Sequence, residues 1–273
     1  MESPSYPRVI TANRVTGETV LLIGTSGWQY RDWRPPREGG QDRPYLYPAG
    51  LPQRLWLEHY AERFRVVELN NAFYRLPERA TFEQWRERTP DDFRMAVKMS
   101  RYLTHIKRLK EPAEPVQRFL SRADALGGKL GPVLIQLPPT LKADPRALDE
   151  TLSLFPAHVP VAVEPRHDSW WTDEVRDLLK RHGAALSWAD RGSRPLTPLW
   201  DTAAFVYLRM HEGKARPWPR YGRSALASWL DRLPRDRDAW VFFNNDPGGA
   251  AVIDAAAMAR MARRRGFEVS RTP

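Results

Sequence analysis

The stretch Phe205-Val206-Tyr207-Leu208-Arg209-Met210-His211 decides the fold. It alternates strictly, so that Val206, Leu208 and Met210 share one face of a strand while Tyr207, Arg209 and His211 share the other. A strand with an apolar outer face and a second face that turns charged toward its downstream end belongs in a barrel with a polar mouth. Seven other runs repeat the layout, and together the eight cover residues 21–27, 66–73, 94–99, 132–138, 159–166, 184–190, 204–210 and 239–246. Each is of strand length, rich in Val, Ile, Leu and aromatics, and bounded by Gly, Pro or charge.

The segments between them read as helices, over 51–64, 81–88, 114–126, 145–155, 172–182, 224–233 and 250–265, with a weaker one at 198–202. Asp144 before Pro145 is an N-cap with proline at the first helical position. Thr81 with Gln84 has the spacing of a capping box, and Gly183 and Gly266 stand where helices end. Eight strand–helix alternations in about 250 residues predict an α/β fold, a (β/α)8 TIM-type barrel in a single domain over residues 21–273. An open doubly wound sheet is the alternative, and the count of eight, with the last segment helical, favours closure. Residues 1–20 read as an N-terminal extension, a loose tail or a lid over the barrel floor.

Composition narrows the function. The chain of 273 residues has no Cys, which excludes disulfides, thiolate zinc sites, iron–sulfur clusters and a cysteine nucleophile. It shows neither a long apolar run nor a secretory pattern at its start, so a soluble, cytoplasmic protein without a membrane partner is expected. Neither G-x-x-x-x-G-K-[ST] nor G-x-G-x-x-G occurs, so no nucleotide cofactor is expected. Lys and Arg number 43 against 33 acidic residues, a net charge of +10. That balance favours a polyanion, DNA or RNA first, although an Arg-rich chain with seven lysines also fits a compositional bias. No feature singles out a protein partner.

The downstream ends of the strands supply the candidate site. Glu68 and Asn70 share the inner face of the second strand, Glu164 and Arg166 that of the fifth, and Arg209 and His211 that of the seventh; Lys98, Gln136, Asp190 and Asn245 come from the third, fourth, sixth and eighth. Glu68 and Glu164, three strands apart, are expected to face each other as general acid and base, with His211 and His105 relaying protons. Lys98, Arg166 and Arg209 are expected to hold an anion, and Asn70, Gln136 and Asn245 to orient the reacting group. Trp28, Tyr74 and Trp170, among other loop aromatics, are candidate stacking platforms. A divalent metal is a lesser expectation, magnesium or manganese before zinc, held by Glu164, Asp190, His211 and Asp246. A closed salt-bridge network that merely fills the upper barrel layer is the structural alternative.

Several strings carry a resemblance: Gly24-Thr25-Ser26-Gly27-Trp28, Val67-Glu68-Leu69-Asn70 with Phe73-Tyr74-Arg75-Leu76-Pro77, Thr104-His105 after Lys98, Gln136-Leu137-Pro138-Pro139, Val163-Glu164 with Arg166-His167 and Ser169-Trp170, Tyr207-Leu208-Arg209-Met210-His211, and Phe243-Asn244-Asn245-Asp246. In this order they resemble the YecE-like family, the domain of unknown function numbered 72. The resemblance implies a TIM-type barrel similar to those of endonuclease IV and the xylose isomerases, and implies no settled activity. Trp188 and Asp254 depart from its pattern. Taken together, these readings give a hydrolase or lyase, endonuclease-like, working on a phosphate-containing anionic substrate, nucleic acid before others. The alternatives are a carbohydrate-processing enzyme with paired carboxylates and a non-catalytic barrel that binds an anion or a partner.

Overall fold

All eight expected runs pair as parallel strands: β1 (Val20–Thr25), β2 (Val66–Leu69), β3 (Arg94–Lys98), β4 (Leu130–Gln136), β5 (Val161–Glu164), β6 (Ala185–Arg191), β7 (Phe205–Glu212) and β8 (Asp238–Phe243). They follow chain order around the sheet, and β1 pairs with both β8 and β2, which closes the barrel. The computed structural model describes residues 19–36 and 45–273. Residues 1–18 of the expected extension and the middle of the 33–52 connection therefore lie outside the described residues.

Helices α1 (Trp56–Arg63), α2 (Asn71–Tyr74), α3 (Arg79–Glu87), α4 (Ala113–Ala123), α5 (Pro145–Ser153), α6 (Asp173–Arg181), α7 (Arg223–Arg232) and α8 (Ala250–Arg264) occupy the connections. Two caps explain where they start. The Asp144 carboxylate accepts from the Ala147 N–H at 3.1 Å ahead of Pro145, and the Thr172 hydroxyl accepts from Val175 at 3.3 Å. The Thr81–Gln84 pair is no cap, because α3 begins two residues earlier, at Arg79 after Glu78. β2 stops at Leu69, and the expected continuation to residue 73 instead coils into α2.

One expected helix is absent. Residues 198–202 form a strap along the outer side of β6, because their hydroxyls bond the strand backbone rather than a helix. Thr202 Oγ1 accepts from Leu186 N at 2.8 Å and donates to Ala184 O at 2.7 Å, while Thr197 Oγ1 accepts from Ala189 N at 3.0 Å. The strap fills the place the helix would have taken.

The strand alternation sorts the core into two shells. Leu22, Val66, Ala96, Leu134, Ala162, Ala185, Phe205, Tyr207, Trp240 and Phe242 fill the barrel interior, and a larger set packs between strands and helices. Where β1 and β2 approach, only glycine fits: a Cβ on Gly24 would lie 2.3 Å from the Val66 carbonyl oxygen. At the floor, Gly131 leaves room for the indole of Trp240, 3.1 Å from where its Cβ would stand. A cavity of about 640 Å³ opens beside that indole, with Arg94, Asp124 and His158 on its wall. It lies at the opposite end of the barrel from the polar residues described next.

β1 and β2 register at Thr25↔Val67 and diverge toward the floor. The gap is filled by β9 (Glu268–Val269), which pairs in parallel with Val20 and Leu21. Ser270 N then donates to Leu21 O at 3.0 Å, and Arg65 N on the other side donates to Arg271 O at 3.1 Å. The Arg271 guanidinium clamps Asp92 through two bonds of 2.9 and 3.0 Å. A segment from the end of the chain thus seals the seam that its beginning opens.

Candidate functional site

Inward positions at the downstream ends of the strands bring most of the expected residues together. Arg209, buried on β7, links two buried carboxylates. Its Nε and Nη2 donate to Glu68 Oε2 and Oε1 at 3.0 and 2.8 Å, and its Nη1 donates to Glu164 Oε2 at 2.7 Å. The remaining lone pairs are taken as well. Ser26 Oγ donates to Glu68 Oε1 at 2.8 Å and Tyr207 Oη to Oε2 at 2.6 Å. Gln136 Nε2 and Arg166 Nε each donate to Glu164 Oε1 at 3.0 Å. Each of the three buried charges is hydrogen-bonded to an opposite one, which is the condition for burying them together.

The arrangement sets the protonation states. Burial pushes the Glu68 carboxyl up, but the Arg209 charge and the bonds from Tyr207 and Ser26 outweigh it and hold the group below the usual carboxylate range. Glu164, opposed by the same burial, is drawn well below that range by Arg209, His211 and Arg166. Both carboxyls are therefore anions at neutral pH, and neither carries a proton to donate. The two carboxylates do face each other as expected, but through a shared guanidinium, so an acid–base division of labour between them does not fit.

Lys98 stands apart from the bridge. It is 8% exposed, and among the described residues no carboxylate pairs with it; its Nζ lies 4.0 Å above the ring of Phe73. Burial, with the Arg209 and Arg166 cations adding to it against Glu68 and Glu164, lowers its pKa to about 8. Next to it the π-turn Tyr102–Ile106 places His105, whose Nδ1 meets the Thr104 hydroxyl at 2.8 Å and whose ring packs edge-on against Phe73. Burial and then the Lys98 charge lower the His105 pKa.

His211 also faces inward. Its Nδ1 lies 3.1 Å from Asn244 Nδ2, and its Nε2, 3.3 Å from Glu164 Oε1, has no well-directed hydrogen bond. Burial outweighs Glu164 and lowers its pKa, so the ring is neutral at pH 7. The amide oxygen of Asn70 is buried and has no partner, its Nδ2 making one long bond of 3.4 Å to Ser26 O. Asp246, just past β8, keeps a buried Oδ1 without a partner, and burial lifts its carboxyl to about 7. Unpaired polar atoms thus gather on the mouth side of the bridge.

Four expected residues are placed elsewhere. Asn245 turns outward and donates to Pro219 O at 2.9 Å and Asp254 Oδ2 at 2.8 Å; Asn244 is the inward neighbour. Asp190 also points outward, toward Tyr221 and Trp229, so the set Glu164, Asp190, His211 and Asp246 does not converge on a metal. Trp28, 4% exposed, packs edge-on against Trp85, and Trp170 is buried with its Nε1 bonded to Leu141 O at 2.8 Å, so neither indole is open for stacking. Tyr74, by contrast, is 74% exposed. Ser26, Phe73 and Asn244 were not anticipated. Parity counted from Tyr207 and Phe242 would have found Asn244.

Fold and site define a closed parallel (β/α)8 barrel whose mouth holds a buried carboxylate–guanidinium–carboxylate bridge beside a lysine with no ion pair among the described residues. The chain belongs to the family described as protein of unknown function DUF72, which matches residues 22–273 and is the YecE-like family of the resemblance. A relative, the UPF0759 protein YunF of Bacillus subtilis (strain 168), is 24% identical over 275 residues, spanning 88% of this chain and 93% of its own. The crystal structure of a DUF72 family protein from Thermotoga maritima MSB8 superposes with a TM-score of 0.72 at 26% identity, covering 89% of this chain and 99% of that one. One from Enterococcus faecalis V583 reaches 0.72 at 19% identity over 89% and 96%, and shares the fold. Among the described residues no helix is long and apolar enough to cross a membrane.

Proposed function

We propose that the barrel is an enzyme of the hydrolase or lyase class that takes a phosphate-containing anion at its mouth, with nucleic acid as the substrate class. One observation carries the reading: three cations, Lys98, Arg166 and Arg209, stand against two ionised carboxylates, and the cation left over is Lys98. A buried ammonium that, among the described residues, no carboxylate pairs with favours an incoming anion, and the Arg166 side chain, 35% exposed, adds a second donor at the opening. His211 and His105, both held neutral at pH 7 by burial, suit proton transfer.

The rim supports a polymer. Tyr74 offers an open ring beside the exposed Arg75, and Arg101 is exposed just past β3. Aromatics and cations at a cationic opening are how single strands are held without sequence preference. The test is fluorescence anisotropy with labelled DNA and RNA, intact and damaged, over a salt series. Binding should weaken with salt, and Lys98→Gln and Arg166→Gln should each reduce the slope by about one counterion. Affinity for none of these strands at low salt would remove nucleic acid from the reading.

A further inference from the structure

We propose that Lys98 is an amine nucleophile that forms an imine with the carbonyl of a phosphate-bearing aldehyde or ketone, an assignment that rests on the anion-binding reading above and deepens it. The placement carries it. Lys98 ends β3 at the mouth, more than nine-tenths buried, with its Nζ over Phe73 and with no ion pair among the described residues. A lysine that only balanced charge would reach for Glu68 or Glu164. Here both are occupied by Arg209, and Glu164 by Arg166 as well. The ammonium is left desolvated and near two guanidinium groups, the two conditions that free an amine lone pair in other imine-forming lysines.

The groups facing Lys98 come from each neighbouring element: Glu68 from β2, Glu164 and Arg166 from β5, Arg209 from β7 and His105 from the turn after β3. Burial first, then the two arginines, bring its pKa to about 8 against the pull of the carboxylates. A substantial fraction is neutral amine in mildly alkaline solution. The other lysines, at 107, 110, 129, 142, 180 and 214, lack this setting; Lys110, Lys142 and Lys214 are exposed.

The step balances without a further reagent. The Lys98 nitrogen adds to the carbonyl carbon, the carbonyl oxygen gains a proton and the nitrogen loses one, giving a carbinolamine. That hydroxyl then leaves as water, with a second proton delivered to it, as the C=N bond forms. His105, close enough to respond to the Lys98 charge, is placed to move these protons, and Glu68 and Glu164 stabilise the cationic iminium. The Arg166 side takes the substrate phosphate. A free sugar phosphate and the open-chain aldehyde of a base-free nucleotide within a strand present the same pair of groups.

The experiment is reductive trapping. The full-length protein is mixed with glyceraldehyde 3-phosphate, with ribose 5-phosphate or with an oligonucleotide carrying one abasic site, reduced with borohydride, and mapped by peptide mass spectrometry. We expect one adduct, on Lys98, with its yield rising through pH 8. Unphosphorylated glyceraldehyde should react at least about tenfold more slowly. Lys98→Arg should abolish trapping while circular dichroism shows the fold intact. Adducts spread over Lys110, Lys142 and Lys214 without preference for Lys98 would overturn the proposal. Trapping by the sugar phosphates but not by the abasic strand keeps the Lys98 chemistry and rejects the polymer. Salt-dependent strand binding with no adduct from any probe keeps the anion reading and rejects the nucleophile.

Discussion

Two buried polar clusters sit at nearly the same height on opposite faces of the barrel wall, and they are solved differently. On the inner face, Glu68 and Glu164 are satisfied by a charge, and Arg209 holds both below the usual carboxylate range against burial. On the outer face, under α7 and α8, the short bonds come from neutral donors, with Arg220 Nε reaching Asp254 Oδ1 only at 3.5 Å. Asp190 accepts from Tyr221 Oη at 2.7 Å, Trp229 Nε1 at 2.8 Å and Ser193 N at 3.1 Å, and Asp254 accepts from Tyr221 N and Asn245 Nδ2, both at 2.8 Å. Burial there raises both carboxyls. The outer cluster joins strands to helices, and its two carboxylates are held by donors from the same wall. The inner one leaves an ammonium and an imidazole nitrogen without well-directed partners, as a site awaiting a ligand does.

The largest effect should come from breaking the inner bridge. Arg209→Met leaves the buried Glu68 without a cationic partner and Glu164 with Arg166 alone, and should cost about 3–5 kcal/mol in urea unfolding at pH 7. Its pH dependence should invert. In the native protein the carboxyl pKa values are depressed, so their stabilisation is present above about pH 4.5 and is lost as pH falls through the folded values. In the variant the Glu68 carboxyl, buried without a cation, titrates high, so acid should narrow the deficit. A deficit that grows in acid would mean that Arg209 does not hold these two charges.

The outer cluster should respond more mildly. Tyr221→Phe removes one of three donors to Asp190 and should cost about 1–3 kcal/mol, while anion affinity at the mouth stays unchanged. A parallel loss of anion binding would erase the distinction between the two faces.

Lys98→Met should go the other way. With a folded pKa of about 8 against 10.5 unfolded, the folded protein binds fewer protons at this position between those values, so the lysine costs stability below pH 8 and the cost fades as pH rises to 10.5. The variant should melt roughly 2–4 °C higher at pH 7, and the gain should vanish by about pH 10.5, while anion affinity falls. A variant less stable at pH 7 would show the lysine to be a packing element.

The smallest change in stability should be that of Tyr74→Ala, within about 0.5 kcal/mol at so exposed a position. Its signature would be in binding, with a single-stranded oligonucleotide held about 1–3 kcal/mol more weakly. Unaltered strand affinity would take this ring out of the proposed contact surface.

The barrel could be read in the sequence because its strands alternate and its polar residues recur at the downstream ends, a pattern short enough to survive without tertiary information. The site was legible wherever parity could be counted along one strand, as at Glu68, Glu164 and Arg209. It failed where nearness to a strand end stood in for that count. Leu186 and Trp188 on β6, and Val241 and Phe243 on β8, pack outside the barrel, so the same two-residue count sends Asp190 and Asn245 outward; expecting them at the mouth went by nearness to the strand end alone. Trp28 and Trp170 sit in loops that fold back over the core, and a loop position alone does not tell a platform from a plug. The strap over β6 escaped notice because its hydroxyls satisfy a strand that lies elsewhere in the sequence.

The seam at residues 268–271 imposes an order of events during synthesis. Strands β1 and β2 leave the ribosome first, yet the backbone groups that Leu21 and Arg65 present to each other's side are met only by Ser270 and Arg271. Without residues 268–271 in place, β1 and β2 leave two unpaired edges at the floor, the arrangement most exposed to pairing with a neighbouring chain.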